Sequence, residues 1–240
     1  MPPNPRILVG VCTYNEAGNI ESLLTRISDA LPTADILVVD DNSPDGTANQ
    51  VDQFAQAKGR ADSIRCLIRE QRGLGGAIRA AMMAAIDGRY DLFCNLDADL
   101  SHDPADLPRL VAAVEHGCDV AVGSRYVADG EIVGWPLRRK WMSRWINLIA
   151  RRRLGLPVKD ASGSFRCYRV SKLAELDLDN QPSEGYSFLQ EVLLKLHQHG
   201  ATFKEVPITF TERTVGDSKL DFREAVRSGW TVFRLQSKRS

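Results

Sequence analysis

Through the first 120 residues, apolar positions alternate between two spacings. Short runs rich in β-branched residues at 6–12, 36–39, 64–68 and 92–96 predict strands. Each is followed by a segment whose apolar residues recur at three- and four-residue steps. These segments carry Ile20, Leu23, Leu24, Ile27 and Leu31, then Val51, Phe54 and Ala55 within 47–58, then 75–86, then 106–115. Residues 119–122 predict a further strand. Strands alternating with helices of about a dozen residues imply right-handed βαβ units, and so an α/β fold with a mainly parallel sheet flanked by helices. The rhythm breaks after Gly123. Residues 125–160 read as loop and a basic amphipathic helix, and 164–168 as a strand. Phe188, Leu189, Val192, Leu193 and Leu196 mark one side of another helix. Val206, Ile208 and Phe210 alternate as one strand should, and 222–235 returns to helical spacing. No repeat or low-complexity linker divides the chain. The expectation is a single domain over 1–220, with 221–240 an amphipathic helix belonging to it or to a membrane interface.

In an open parallel sheet, ligands sit beyond the carboxyl ends of the strands. Three of the predicted strands end in polar clusters: Thr13-Tyr14-Asn15-Glu16, then Asp40-Asp41-Asn42-Ser43-Pro44-Asp45-Gly46-Thr47, then Asp97-Ala98-Asp99-Leu100-Ser101-His102-Asp103-Pro104. Turns favour Asp and Asn, so one such cluster carries little meaning. Three on one sheet edge point to a site. Asp97-Ala98-Asp99 is the sharpest, because two carboxylates two residues apart at a strand end suit a hard divalent cation that bridges a diphosphate. The Gly-rich Arg69–Gly76 region matches neither G-x-G-x-x-G after the first strand nor G-x-x-x-x-G-K-[ST]. Its glycines suit a tight turn before a closely packed helix.

Overall charge is balanced at 31 basic and 31 acidic residues, but it is sorted along the chain. Residues 1–120 hold 10 Lys/Arg against 18 Asp/Glu, and 121–240 hold 21 against 13. That division suits a site in which one half holds a metal and the other grips phosphates. The cations are Arg125, then Arg138, Arg139, Lys140, Arg144, Arg151, Arg152, Arg153 and Lys159 with no acid between Glu131 and Asp160, then Arg213 and Lys219. Trp135, Trp141, Trp145, Ile146, Leu148 and Ile149 are interleaved with them. A stripe of this kind fits an anionic lipid surface better than nucleic acid. An apolar content of 43 % with 26 % charged residues excludes disorder, and no apolar run approaches the roughly 20 residues of a bilayer span. Five scattered cysteines, without zinc spacing, and an N-terminus without a signal pattern imply reduced thiols in a cytoplasmic chain.

Taken in order, T-Y-N-E, D-D-x-S-P-D-G-T, D-A-D-L-S-H-x-P, G-S-R-Y, the S-G-S-F-R-x-Y at 162–168 and E-V-P-I-x-F…R-x-x-G-x-S-K-L at 205–220 resemble the dolichyl- and polyprenyl-phosphate mannosyltransferases of glycosyltransferase family 2. The resemblance implies a single GT-A (Rossmann-like) domain. It implies that Cys12, Tyr14, Glu16, Val39 and Asp41 surround the nucleoside. Asp97, Ala98 and Asp99 would hold the sugar diphosphate and its Mg²⁺ or Mn²⁺, with the metal on Asp97 and Asp99. Arg125, Arg213 and Lys219 would bind phosphates, with 213–219 closing on the donor. Cys12 stands where proline is more usual before T-Y-N-E.

The implied reaction moves mannose from GDP-mannose to a polyprenyl or dolichyl phosphate with inversion. A phosphate acceptor is already anionic near neutral pH, so no general base is required. Catalysis then rests on Asp99 with the metal and on Arg125, Arg138 and Arg139 aligning two anions. His102 fits a scaffold role better than that of a base. The implied partners are the sugar nucleotide, the prenyl phosphate, the cytoplasmic face of a membrane and, as a candidate, a small membrane-embedded subunit. UDP-glucose or another sugar nucleotide is the alternative donor. A non-catalytic polyanion or lipid-surface binder is the alternative from another class.

Overall fold

The computed structural model describes residues 4–178 and 185–212. The alternating first half forms β1 (Ile7–Thr13), α1 (Ile20–Ala30), β2 (Asp35–Asp40), α2 (Thr47–Ala57), β3 (Ile64–Ile68), α3 (Leu74–Asp87), β4 (Leu92–Asp97), α4 (Leu107–Glu115) and β5 (Val120–Ser124). The second half adds β6 (Glu131–Val133), α5 (Leu137–Leu154), β7 (Arg166–Arg169), α6 (Val170–Leu173), α7 (Tyr186–Gln198), β8 (Phe203–Pro207) and β9 (Thr209–Thr211). The helical expectation for 222–235 and the 221–240 tail lie outside the described residues.

Seven strands form one sheet in the order β3-β2-β1-β4-β7-β5-β8. All neighbours are parallel except β7, which runs antiparallel between β4 and β5. Both faces are covered, which is why the strands read as near-continuous apolar runs rather than alternating ones. Leu8, Phe93, Val122 and Tyr168 pack beneath residues of α3, α5, α6 and α7. On the other face, Val9, Leu92, Cys94 and Cys167 pack beneath α1, α2 and α4. The chain leaves β1 towards β2 and β3 on one side, while β4 lies on the other. The carboxyl ends of β1 and β4 therefore flank the reversal of strand order where such sheets bind ligands.

Two features depart from the expectation. Val206, Ile208 and Phe210 do not share one strand. Val206 belongs to β8 of the large sheet and Phe210 to β9, which pairs with β6 in a small separate sheet. The break follows from Pro207, which has no N–H to continue the ladder. Ile208 makes the transfer, donating its N–H to Ser124 and accepting from Glu131. The second departure is β6 itself, three residues within what reads as loop. Of the five cysteines, Cys94 and Cys167 are buried and the others half-buried, and none forms a disulfide.

Candidate active site

The three polar clusters do meet at one edge, and the first two are tied to each other. Asp45 accepts hydrogen bonds from the Thr47 amide and hydroxyl and from the Ala17 amide. Burial pushes its carboxyl up, but these donors outweigh it and hold the group below the usual carboxylate range. Ser43 and Thr47 accept from the Asn15 and Glu16 amides, so the loop after β2 carries the loop after β1. Asn15 and Asn42 take left-handed backbone, at φ 59° and 57°, which asparagine tolerates.

Within this frame the acids are not equivalent. Asp40 is buried and accepts from Thr13 Oγ1 at 2.7 Å and the Ser43 amide at 2.8 Å. Asp41 takes Arg69 Nη1 at 2.6 Å and the Gly73 amide at 2.7 Å, one on each oxygen. Both acids thus build the loops, and Asp41 anchors the turn into α3. Arg72 lies 3.9 Å over the Tyr14 ring, closing that turn over the end of β1. The glycines of the turn behave as the sequence suggests. A Cβ at Gly75 would meet the Gly185 amide and Phe188 Cβ, both at 3.0 Å, so α3 and α7 approach closely there. Val39 is fully buried in the core, and its side chain is not on the edge. Cys12 lies in register with Asp97 and Val39, and burial together with the Asp97 and Asp41 charges pushes its thiol far up.

Asp97 ends β4 and is partly exposed, as is Asp99, while Ala98 between them is buried. Asp99 Oδ1 accepts the Ser101 amide at 3.1 Å. Leu100 follows at φ 59°, a conformation that costs a branched side chain on the order of 1–2 kcal/mol. That turn sends His102 back into the protein, where it bridges to Phe210 and packs between the tilted ring of Phe165 and the edge-on ring of Phe210. Its Nδ1 lies 3.8 Å from Asp97 Oδ2. Burial and the nearby Arg125 charge push the imidazole down to about 4, so it is neutral at pH 7 and supports the turn. Asp97 and Asp99 offer hard oxygen donors at an accessible strand end, which fits Mg²⁺ or Mn²⁺. Among the described residues no third His, Cys, Asp or Glu joins them in a metal-holding group. Phosphate oxygens and water would supply the remaining ligands.

Arg125, expected on a phosphate, has its guanidinium buried against Asp160, with Nε at 2.7 Å and Nη2 at 2.8 Å. Its own amide also donates to Asp160, and Nη2 reaches Ser162 Oγ at 3.0 Å. Burial lowers the guanidinium's proton affinity, but the Asp160 carboxylate more than restores it. A cation committed in this way shapes the site through its partner. Arg139 pairs with Glu212 at 2.6 Å and lies 4.0 Å over Trp135, whereas Arg138 is exposed. Arg213, Lys219 and the 213–219 segment lie outside the described residues.

Several groups at this edge escape a linear reading. Asp160 is one, and Asn147 of α5 is another: its Oδ1 accepts the Ala161 and Ser162 amides. A third is a buried polar set on the α7 side of the sheet. Asn95 lies two residues before Asp97 on the same face of β4, in register with Arg166. Its Nδ2 donates to the Ser164 carbonyl, and Arg166 donates to the carbonyls of Leu189 and Ala161. Asn95 Oδ1, Ser164 Oγ, Arg166 Nε, Gln190 Oε1 and Glu191 Oε2 are buried with no hydrogen-bond partner. Only the S-G-S-F-R-x-Y motif hinted at part of this set.

Residues 8–177 match the family model described as Glycosyl transferase family 2. A polyprenol monophosphomannose synthase of Mycolicibacterium smegmatis is 40 % identical over 228 residues, 93 % of this chain and 85 % of that protein. An undecaprenyl-phosphate mannosyltransferase of Micrococcus luteus is 41 % identical over 216 residues, 90 % of this chain and 87 % of that protein. Among solved structures, glucosyl-3-phosphoglycerate synthase from Mycobacterium tuberculosis, in complex with Mn²⁺, UDP-glucose and phosphoglyceric acid, superposes with a TM-score of 0.69 at 20 % identity. That match covers 95 % of this chain and 80 % of the other, and it shows a shared GT-A-like fold. With a strand-end carboxylate pair at the sheet's switch point and a family match across most of its length, the chain belongs to glycosyl transferase family 2 and is a glycosyltransferase.

Proposed function

We propose that this enzyme transfers mannose from GDP-mannose to a polyprenyl or dolichyl phosphate with inversion at the anomeric carbon. The observation that carries the reading is 40 % or greater identity, across 90 % or more of the chain, to two proteins named for prenyl-phosphate mannose chemistry. The bond from C1 to the donor diphosphate breaks, and one from C1 to an acceptor phosphate oxygen forms. The products are GDP and polyprenyl-phosphate mannose. The acceptor oxygen is already anionic, with a second phosphate pKa of about 6, so no side chain has to remove a proton. The burial of His102 between Phe165 and Phe210 agrees with this.

Asp97 and Asp99 are the residues that would hold Mg²⁺ or Mn²⁺, which when bound supplies charge neutralisation at the leaving diphosphate. Cys12, Tyr14 and Glu16, with Val39 and Asp41 shaping the wall, line the nucleoside side. Arg213 and Lys219 are assigned to the donor phosphates, and Arg138 and Arg139 to the acceptor. Arg125 acts as a positioning residue through Asp160. The unsatisfied atoms of Asn95, Ser164, Arg166, Gln190 and Glu191 give hydrogen-bonding capacity that sugar hydroxyls would use. The enzyme would work peripherally on the cytoplasmic face of a membrane, beside its lipid acceptor or a membrane-embedded subunit. Among the described residues no helix is long and apolar enough to cross one.

The test is transfer of labelled sugar to a prenyl phosphate from GDP-mannose and UDP-glucose, each with and without EDTA. Metal-dependent transfer from GDP-mannose alone is the expected result. Turnover confined to UDP-glucose would replace the donor, and none with any donor would overturn the reading.

A further inference from the structure

Arg139, in the first turn of α5, is held from two sides. Its Nη1 donates to Glu212 Oε1 at 2.6 Å, and its guanidinium lies 4.0 Å over the Trp135 ring. The pair is only partly enclosed, with the Arg139 side chain 25 % and the Glu212 side chain 36 % exposed. Glu212 directly follows β9, and its amide donates to the Val133 carbonyl of β6. Gly134, at φ 88°, lies so close that a Cβ there would meet Glu212 Cβ at 2.9 Å. The Glu212 backbone is therefore fixed, and only its side chain can turn away from Arg139. Trp135 beneath the guanidinium is buried, and among the described residues its indole N–H has no hydrogen-bond partner. A buried donor left unsatisfied is costly, so an anion arriving beside Arg139 would improve this arrangement.

We propose that Glu212 is a placeholder for the acceptor phosphate, which displaces its carboxylate from Arg139 and takes up the Trp135 N–H. The exchange substitutes one set of anionic oxygens on a guanidinium for another, a geometry that carboxylate and phosphate share. It favours the phosphate, because a phosphomonoester carries close to two negative charges near neutral pH and a carboxylate carries one. It is also easy, because a partly exposed ion pair contributes little to stability. Before the acceptor arrives, the carboxylate keeps Arg139 stacked on Trp135 and offsets its charge. Glu212 is thus a positioning residue that acts through Arg139. The proposal deepens the prenyl-phosphate reading above, since it rests on Arg139 serving the acceptor.

The experiment is calorimetric titration of the full chain with a short, water-soluble prenyl phosphate, followed by steady-state transfer to the same compound. Glu212→Gln removes the competing charge and is expected to tighten binding about two- to fivefold, the range that an exposed ion pair supports. Acceptor KM should fall by a similar factor, with kcat moving less. Glu131→Gln makes the same charge change on the paired strand β6 and should shift neither. Trp135→Phe keeps an aromatic ring and deletes the N–H, so it should weaken binding several-fold. Melting curves confirm that each variant folds, and Glu212→Ala repeats the charge removal should Glu212→Gln be unstable. Equal or weaker binding by the Glu212 variants, or a gain matched by Glu131→Gln, would overturn the proposal. So would native-like binding by Trp135→Phe. The two readings fail separately. An absence of transfer from any donor, with the Glu212→Gln gain intact, would overturn the prenyl-phosphate reaction and leave the exchange at Arg139 standing. Transfer by the native enzyme without that gain would do the reverse.

Discussion

Asp97 and Asp99 are like charges two residues apart, and the cation proposed between them would offset their repulsion. Replacing one should relieve that repulsion rather than open a cavity. Asp99→Asn is expected to lower transfer by at least about 10²-fold at saturating Mn²⁺. Its urea midpoint should stay at or above that of the native enzyme, and near-native turnover would remove Asp99 from the metal site. Asp160 is the opposite case. Burial pushes its carboxyl up, but Arg125, through charge and hydrogen bonds, holds it below the usual range. A depressed folded pKa stabilises the fold above the unfolded value of about 3.9 and loses that contribution as pH falls through the folded one. Asp160→Asn leaves Arg125 buried without its countercharge, at a cost of about 3–5 kcal/mol near pH 7. Urea unfolding at several pH values should show the gap between variant and native protein narrowing below about pH 4.

At the scale of elements, α5 joins the site through one amide side chain. Asn147 is buried, accepts two backbone amides and donates to the Ser143 carbonyl and Ser162 Oγ. Asn147→Ala leaves those buried amides unsatisfied, worth about 1–3 kcal/mol in stability. It also loosens the Ala161–Ser162 turn that backs Arg125. Turnover should fall more than donor affinity, since the loops after β1 and β2 are held by a separate network through Asp45 and Ser43. Steady-state kinetics beside nucleotide titration would check this. A change confined to the melting temperature would leave Asn147 a purely structural residue. The same reasoning separates β8 from β9. Pro207 ends one ladder, and Phe210 in the other reaches His102 and Trp135, so the small sheet braces the turn that carries His102.

Over the whole molecule, the charge sorting seen along the chain survives folding. The strand-end acids come from the first half, and the basic helix comes from the second. A ligand that joins the two halves should stabilise the fold by mass action. Saturation at 100 times the dissociation constant contributes about 2.7 kcal/mol. GDP with Mn²⁺ is therefore expected to raise the melting temperature by several degrees, and either one alone by much less. Equal shifts with and without metal, read by differential scanning fluorimetry, would separate nucleotide binding from Asp97 and Asp99.

What the sequence determined by itself was local or repetitive. The short apolar runs and the period-3.6 segments of the first half placed β1 to β5 and α1 to α4. The rule that parallel sheets bind at their carboxyl ends then singled out Asp97 and Asp99 as candidate site residues. The outward row of Trp141 and Trp145 was likewise legible, because helical spacing alone sets which residues share a side. What only the tertiary structure decided depends on partners distant along the chain. Arg125 looks available until Asp160, 35 residues away, takes its guanidinium. Asp41 takes its hydrogen bonds from Arg69 and Gly73, 28 and 32 residues away. The antiparallel entry of β7, which sets Arg166 opposite Asn95, has no signature in periodicity, because a strand's direction in a sheet is chosen by packing and connection rather than by its own residues.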